Sequence, residues 1–184
     1  MRAFIAVDLD PVLKAAVREL VRKLEAFRAE VRWTRTDGHH LTLKFLGEID
    51  DASAGRVKAV LGEVASRHKA FSLRLEGTGV FPGERKPRVL WLGVAAGPEL
   101  GAFQEELEEA LGREGFPREE RAFKPHLTLG RVKGRDRLDK VLAELAARAR
   151  EDFGGMAVAK IALFESRLRP DGAEYHIVEE ASLG

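Results

Sequence analysis

A fold of mixed helices and strands, built as two similar lobes about a pseudo-twofold axis, is what this 184-residue sequence predicts. Three observations lead there. Apolar residues recur at helical spacing in four segments, with strand-like stretches between them. The tetrapeptide His-Leu-Thr-Leu occurs twice, at 40–43 and at 126–129. The elements around the two copies follow one another in the same order, at a nearly constant offset.

The chain opens on a strand at 3–8. A helix follows, with Asp10 as N-cap and Pro11 at its first position, a favoured pairing. Its apolar stripe is Leu13, Val17, Leu20, Leu24 and Phe27. Strands at 31–35 and 40–46 come next. A second helix starts near Asp51 or Ser53 and carries Val57, Val60, Leu61 and Val64. Residues 71–81 read as a half-buried strand, because Phe71-Ser72-Leu73-Arg74-Leu75 alternates. The turn cluster Pro82-Gly83-Glu84-Arg85-Lys86-Pro87 leads to a strand at 89–94. The third helix follows Pro98, uses Leu100, Phe103, Leu107 and Leu111, and stops at Gly112. A strand at 126–132 precedes the fourth helix, which follows Asp136, carries Leu138, Val141, Leu142 and Leu145, and ends before Gly154-Gly155. Strands at 157–166 and 174–179 flank the turn Arg169-Pro170-Asp171-Gly172.

The repeat has a definite period. His40 and His126 lie 86 positions apart, and the same shift carries 71–81 onto 157–167. Phe4-Ile5-Ala6-Val7 matches Trp91-Leu92-Gly93-Val94 with a shift of 87. Each half therefore reads strand, helix, His-Leu-Thr-Leu strand, helix, strand. Residues 1–184 are expected to form a single bilobal domain with an internal duplication, since no linker separates the halves.

Composition narrows the functional classes. With 31 basic and 30 acidic residues the net charge is +1, too even for a protein that coats nucleic acid, though a local basic cleft remains open. The absence of cysteine excludes disulfides, zinc–thiolate sites and cysteine nucleophiles. The N-terminus lacks a signal-peptide layout, and no apolar run approaches the roughly 20 residues of a membrane helix. The expected compartment is the cytoplasm, with no membrane partner, and the expected state is a monomer. There is no Asn, one Gln, two Met and no Cys, while 33% of the chain is charged. Such scarcity of thermolabile side chains suggests a thermophilic source.

The chemistry lies in the repeated motif. In a strand, residues i and i+2 point to one face. His40 and Thr42 then share one face, and Leu41, Leu43 and Phe45 share the other, toward the core. His126 and Thr128 stand likewise against Leu127 and Leu129. Two such strands facing across a cleft surround one pocket with two imidazoles and two hydroxyls. Imidazole, with an ordinary pKa of about 6.5, suits general acid and base work, and threonine hydroxyls can donate to phosphate oxygens. With five His and five Thr in the chain, two such His-x-Thr spacings arise by chance about once in a hundred sequences. Lys44, two after Thr42, is placed on the site face. Arg131, five after His126, points away from the pocket in a regular strand, and a bulge at Gly130 would re-aim it.

These segments resemble the 2H phosphoesterase superfamily, marked by two His-x-Thr-x motifs. They resemble more narrowly its bacterial and archaeal RNA 2′,3′-cyclic phosphodiesterases, also called 2′-5′ RNA ligases. The resemblance rests on 40–48, His-Leu-Thr-Leu-Lys-Phe-Leu-Gly-Glu, and 123–131, Phe-Lys-Pro-His-Leu-Thr-Leu-Gly-Arg. Arg2-Ala3-Phe4-Ile5-Ala6 and Glu165-Ser166-Arg167-Leu168 add weaker support. It implies an α+β fold with two lobes of antiparallel sheet, outer helices and a central cleft. It also implies metal- and cofactor-free hydrolysis of a 2′,3′-cyclic phosphate at an RNA end to a 2′-phosphomonoester, and a separate ATP-independent 2′-5′ joining of RNA ends as the reverse transesterification. In that pattern His126 is the proton acceptor that activates water, His40 is the proton donor to the leaving 3′-oxygen, and Arg131 helps to hold phosphate; Thr42, Thr128 and Lys44 are expected as further substrate contacts from their place on the site face.

Other readings compete with this one. A sibling activity is hydrolysis of a small cyclic phosphate such as ADP-ribose 1″,2″-cyclic phosphate, which a small closed pocket would favour. A non-catalytic RNA-binding module would show exposed sheet aromatics, and no such signature segment is present. His39, His68 and His176 read as structural or solvated, and Trp33 and Trp91 as core or wall residues. The helix run Glu105-Glu106-Leu107-Glu108-Glu109 reads as a solvated face. No HExxH helix or other metal-ligand spacing occurs.

Overall fold

The computed structural model describes residues 1–35 and 38–184. The chain runs β1 (Arg2–Asp8), α1 (Pro11–Glu25), β2 (Val31–Trp33), β3 (His40–Glu48), α2 (Asp51–Ser66), β4 (Phe71–Phe81), β5 (Val89–Ala96) and α3 (Pro98–Arg113). It continues through β6 (His126–Val132), α4 (Leu138–Ala147), β7 (Asp152–Val158), β8 (Lys160–Arg169) and β9 (Gly172–Ser182).

Local chemistry accounts for the helices. The Leu13 N–H donates to the Asp10 carboxylate at 2.8 Å, with Pro11 in the first turn of α1. Leu13, Val17, Leu20 and Leu24 are buried as one stripe. The cap of α2 is Asp50, one residue before the expected start, accepting from the Ser53 N–H at 2.7 Å. Helix α3 follows Pro98 and buries Leu100, Phe103, Leu107 and Leu111. Helix α4 is shorter than expected at both ends, because Arg137 precedes it in a left-handed conformation and the chain after Ala147 turns into a strand.

That strand, β7, is the element the sequence concealed. Gly154-Gly155 reads as a breaker, yet here it lies inside a strand paired with β4, Gly154 at φ 111° beside a register shift. A Cβ on Gly155 would meet the Leu73 carbonyl at 2.9 Å, so glycine permits this close strand approach. The expected single strand at 157–166 is therefore two, broken at Ala159: β7 ends in one sheet and β8 begins in the other.

The strands form two antiparallel sheets, β3-β1-β8-β9 and β2-β6-β5-β4-β7. Helices α2 and α3 pack on the first sheet, and α1 and α4 on the second. The result is an α+β fold of two lobes, each a sheet with outer helices. The sequence halves do not coincide with the lobes, however. Strand β4, from the first half, pairs with β5 and β7, while β8, from the second half, pairs with β1 and β9. Most buried apolar side chains join one core between sheets and helices. A second, small group, Phe4, Ala6, Ala162 and Phe164 with Tyr175 packed against it, lies on the other face of the first sheet.

Candidate active site

Strand β3 carries the first motif. Its pairing with β1 matches Ala6 to Thr42 and Ile5 to Lys44, so Leu43 is an extra, bulged residue. Before the bulge, alternation is regular. Leu41 is fully buried, and His40 and Thr42 face the small apolar group. The His40 ring sits 4.4 Å from Phe164, 5.1 Å from Tyr175 and 5.7 Å from Phe4. Its Nε2 is 3.9 Å from Asp8 Oδ1, the cross-strand neighbour, which Lys14 also meets at 2.8 Å.

After the bulge the faces exchange, and two expectations fail together. Phe45, expected in the core, is 75% exposed and lines the cleft. Lys44, expected as a phosphate contact, is turned into a buried ion pair. Its Nζ donates to Glu108 Oε2 at 2.9 Å and to the Pro117 carbonyl at 2.5 Å. Glu108 Oε2 also accepts the Glu119 N–H at 3.1 Å, and Gln104, one turn earlier on α3, donates to the carbonyl of the bulged Leu43 at 3.4 Å. This polar strut joins β3, α3 and the loop leading to β6.

Strand β6 repeats the arrangement. Thr128 pairs with Trp91 and Gly130 with Leu90, leaving Leu129 bulged. The bulge expected at Gly130 thus exists one residue earlier, and it turns Arg131 onto the face of His126 and Thr128, where it lines the cleft. The His126 Nδ1–H donates to the Lys124 carbonyl at 2.6 Å, which directs the Nε2 lone pair away from the backbone. Phe81 stands edge-on to His126 with ring centroids 5.1 Å apart, backed by Trp91 at 5.3 Å. Trp91 lies flat over Gly79, where a Cβ would meet its ring at 2.2 Å; glycine is required for this packing.

The two motifs open onto one cleft of about 1040 Å³. His40 and Thr42 reach it from the first sheet, and His126, Thr128 and Arg131 from the second. The loop between α3 and β6 adds Arg121 and Lys124. Phe45, Phe81 and Tyr175 are cleft residues that the sequence reading did not single out. The one available signal for Phe45, which alternation assigned to the core, is that it stands five after His40 as Arg131 stands five after His126; Tyr175 reaches the site only through the pairing of β8 with β9. His39 is buried beneath α1, and His68 bonds Glu106 at 2.5 Å, holding that carboxylate below its ordinary range. Among the described residues no group of three or more His, Cys, Asp or Glu is arranged to hold a metal ion.

Residues 35–169, the segment spanning both motifs, match the family model of the 2′-5′ RNA ligase superfamily. The chain belongs to that superfamily. Two similar relatives are named RNA 2′,3′-cyclic phosphodiesterase. The one from Methanothermobacter thermautotrophicus is 37% identical over 180 residues, covering 97% of each chain. The one from Aquifex aeolicus is 37% identical over 187 residues, covering 100% of this chain and 98% of its own. Among solved structures, TT0787 of Thermus thermophilus superposes with a TM-score of 0.82 at 31% identity, covering 100% of this chain and 98% of that one. E. coli LigT complexed with 3′-AMP superposes with a TM-score of 0.79, covering 99% and 97%, and at 23% identity it shows the shared fold alone. These superfamily relatives include thermophile proteins, in keeping with the composition.

Proposed function

We propose that this member of the superfamily is an RNA 2′,3′-cyclic phosphodiesterase that needs no metal. The observation that carries the reading is the pair of His-x-Thr strands, one from each sheet, opening onto a single cleft. The names of the relatives at 37% identity support the same substrate.

The mechanism follows from the residues. His126 Nε2 takes a proton from a water aligned opposite the bond to the ribose 3′-oxygen. The water oxygen attacks phosphorus, the P–O3′ bond breaks, and His40 gives its proton to the leaving 3′-oxygen. The product is a 2′-phosphomonoester with a free 3′-hydroxyl, and proton exchange with solvent resets the two rings. Thr42 and Thr128 donate to the non-bridging oxygens, and the Arg131 guanidinium balances charge gathering there. Lys44 also borders this cleft, but its ammonium is engaged by Glu108 and the Pro117 carbonyl, so we assign it no step in the mechanism. A 5′-hydroxyl in place of water, losing its proton to His126 while the same P–O3′ bond breaks, would make a 2′-5′ linkage, the joining that the superfamily name describes.

A cleft of about 1040 Å³ lies at or beyond the upper end of small-ligand sites and, with Arg121, Lys124 and Arg131 on its walls, favours an RNA end over a compact cyclic nucleotide. Every residue in the mechanism comes from one chain, so we take the working form to be a monomer, acting in the cytoplasm. Among the described residues no helix is long and apolar enough to cross a membrane. The test is hydrolysis of an oligonucleotide 2′,3′-cyclic phosphate in EDTA, with the product isomer identified. Full turnover giving the 2′-phosphate is expected. Loss of activity restored by zinc or magnesium, or a 3′-phosphate product, overturns the mechanism.

A further inference from the structure

The inner face of the second sheet carries positive charge past the edge of the cleft. Directly opposed residues of an antiparallel pair project from the same face. Phe81 opposes Val89, Val89 opposes Arg131, and Arg131 opposes Arg32 on the edge strand β2. The first three line the cleft, and Arg32 is the fourth of the row, just outside it. Arg32 and Arg131 are both exposed, and neither has an ion-pair partner among the described residues. Some surface arginines, such as Arg22, Arg67, Arg74, Arg148, Arg167 and Arg169, meet a carboxylate and others do not; what sets Arg32 and Arg131 apart is their direct opposition on a face that opens into the cleft. Two adjacent guanidiniums without counter-charge, on strands about 4.8 Å apart, form an extended anion-binding row.

We propose that Arg32 binds the backbone phosphate immediately upstream of the cyclic phosphate, so that the RNA strand leaves the cleft across β2. This rests on the phosphodiesterase reading and adds to it a second phosphate site. That phosphate exists only where the terminal nucleotide is joined to another, so the contact discriminates an RNA chain from a mononucleotide. A planar guanidinium can grip two phosphate oxygens at once, which an ammonium cannot. Arg121 and Lys124 also reach the cleft, from a loop beyond His126. Arg32 is held instead on a strand hydrogen-bonded to the motif strand β6, which fixes its distance from the reacting phosphate.

The experiment compares uridine 2′,3′-cyclic phosphate with a pentanucleotide ending in the same group, for the wild type, Arg32→Ala and Arg32→Lys. For the pentanucleotide, Arg32→Ala should raise KM about 10-fold, the scale of one charged hydrogen-bonding contact, with kcat unchanged. The slope of log kcat/KM against log salt should shrink by about 0.7, the single-strand value for one phosphate. Arg32→Lys should recover part of the KM. Both constants for the mononucleotide should stay within about twofold of wild type, which also shows that the variants fold. Equal losses on both substrates, an unchanged salt slope, or a length-dependent loss in Arg121→Ala instead, overturns the Arg32 assignment. A wild type that hydrolyses neither substrate overturns the phosphodiesterase reading itself.

Discussion

The Lys124 carbonyl, 2.6 Å from His126 Nδ1, gives this imidazole a fixed tautomer, with Nε2 as its basic atom. His40 has a different setting: nearly buried, ringed by Phe4, Phe164 and Tyr175, with Asp8 at 3.9 Å. The two rings thus stand in different surroundings, one against a backbone carbonyl and the other within an aromatic wall beside a carboxylate. On that mechanism His40→Ala and His126→Ala should each lower turnover about 10²- to 10⁴-fold with folding intact. The double variant should cost much less than the product of the two, because cooperating groups are not additive. Thr42→Ala and Thr128→Ala should be milder and raise KM. The pH profile of turnover should be bell-shaped, since activity falls when the acceptor gains a proton at low pH and when the donor loses one at high pH. Steady-state kinetics of circular-dichroism-matched variants decides this, and a His39→Ala variant more damaged than His40→Ala at equal stability would show that the wrong ring was chosen.

At the scale of the element, the outcome turns on one inserted residue per strand. Alternation made Leu41, His40, Thr42, Leu127 and Thr128 legible, because regular pleating holds up to the bulge. It misplaced Phe45 and Lys44, because a bulge is set by register with a partner strand, and that partner is distant in sequence. The same physics was anticipated for Arg131, where a glycine hinted at it, while β3 has no glycine at the corresponding place. Strand β7 was missed for a related reason: Gly154-Gly155 breaks a strand on local propensity, but pairing with β4 outweighs it. The bulge assignment has a sharp energetic consequence. Phe45→Ala should change stability by no more than about 0.5 kcal/mol, as for an exposed position, whereas a core phenylalanine costs about 3–5 kcal/mol. Lys44→Ala should be the damaging change, at about 3–5 kcal/mol, because it leaves Glu108 buried and uncompensated. Urea denaturation of the two variants ranks them, and the reverse order would restore regular alternation on β3.

For the whole molecule, the consequential feature is the exchange of one strand between the halves. In each sheet a central strand, β1 or β5, lies between its own half's motif strand and a strand of the other half: β3-β1-β8 and β6-β5-β4. We take this matched order as the three-dimensional form of the proposed duplication. The exchange means that neither half contains a finished sheet. Residues 1–85 would hold β1 and β3 but lack β8, and would expose β4 with neither β5 nor β7 beside it. Residues 86–184 would hold β5 and β6 without β4, and β8 without β1. Each fragment would leave central apolar strands with unpaired backbone groups and half a core, a state a small chain cannot sustain. A domain assembled from two self-sufficient lobes would behave oppositely. Cleaving the chain genetically in the exposed turn at 82–87 should therefore give two fragments without cooperative thermal unfolding when separate. Mixed, they should regain a cooperative transition and cyclic-phosphate hydrolysis together, because β4 and β8 must each cross to the other fragment to complete the sheets that hold His126 and His40. Differential scanning calorimetry with an activity assay on the same samples measures both. A fragment that melts cooperatively by itself would mean that its half closes its own sheet, contrary to the strand order.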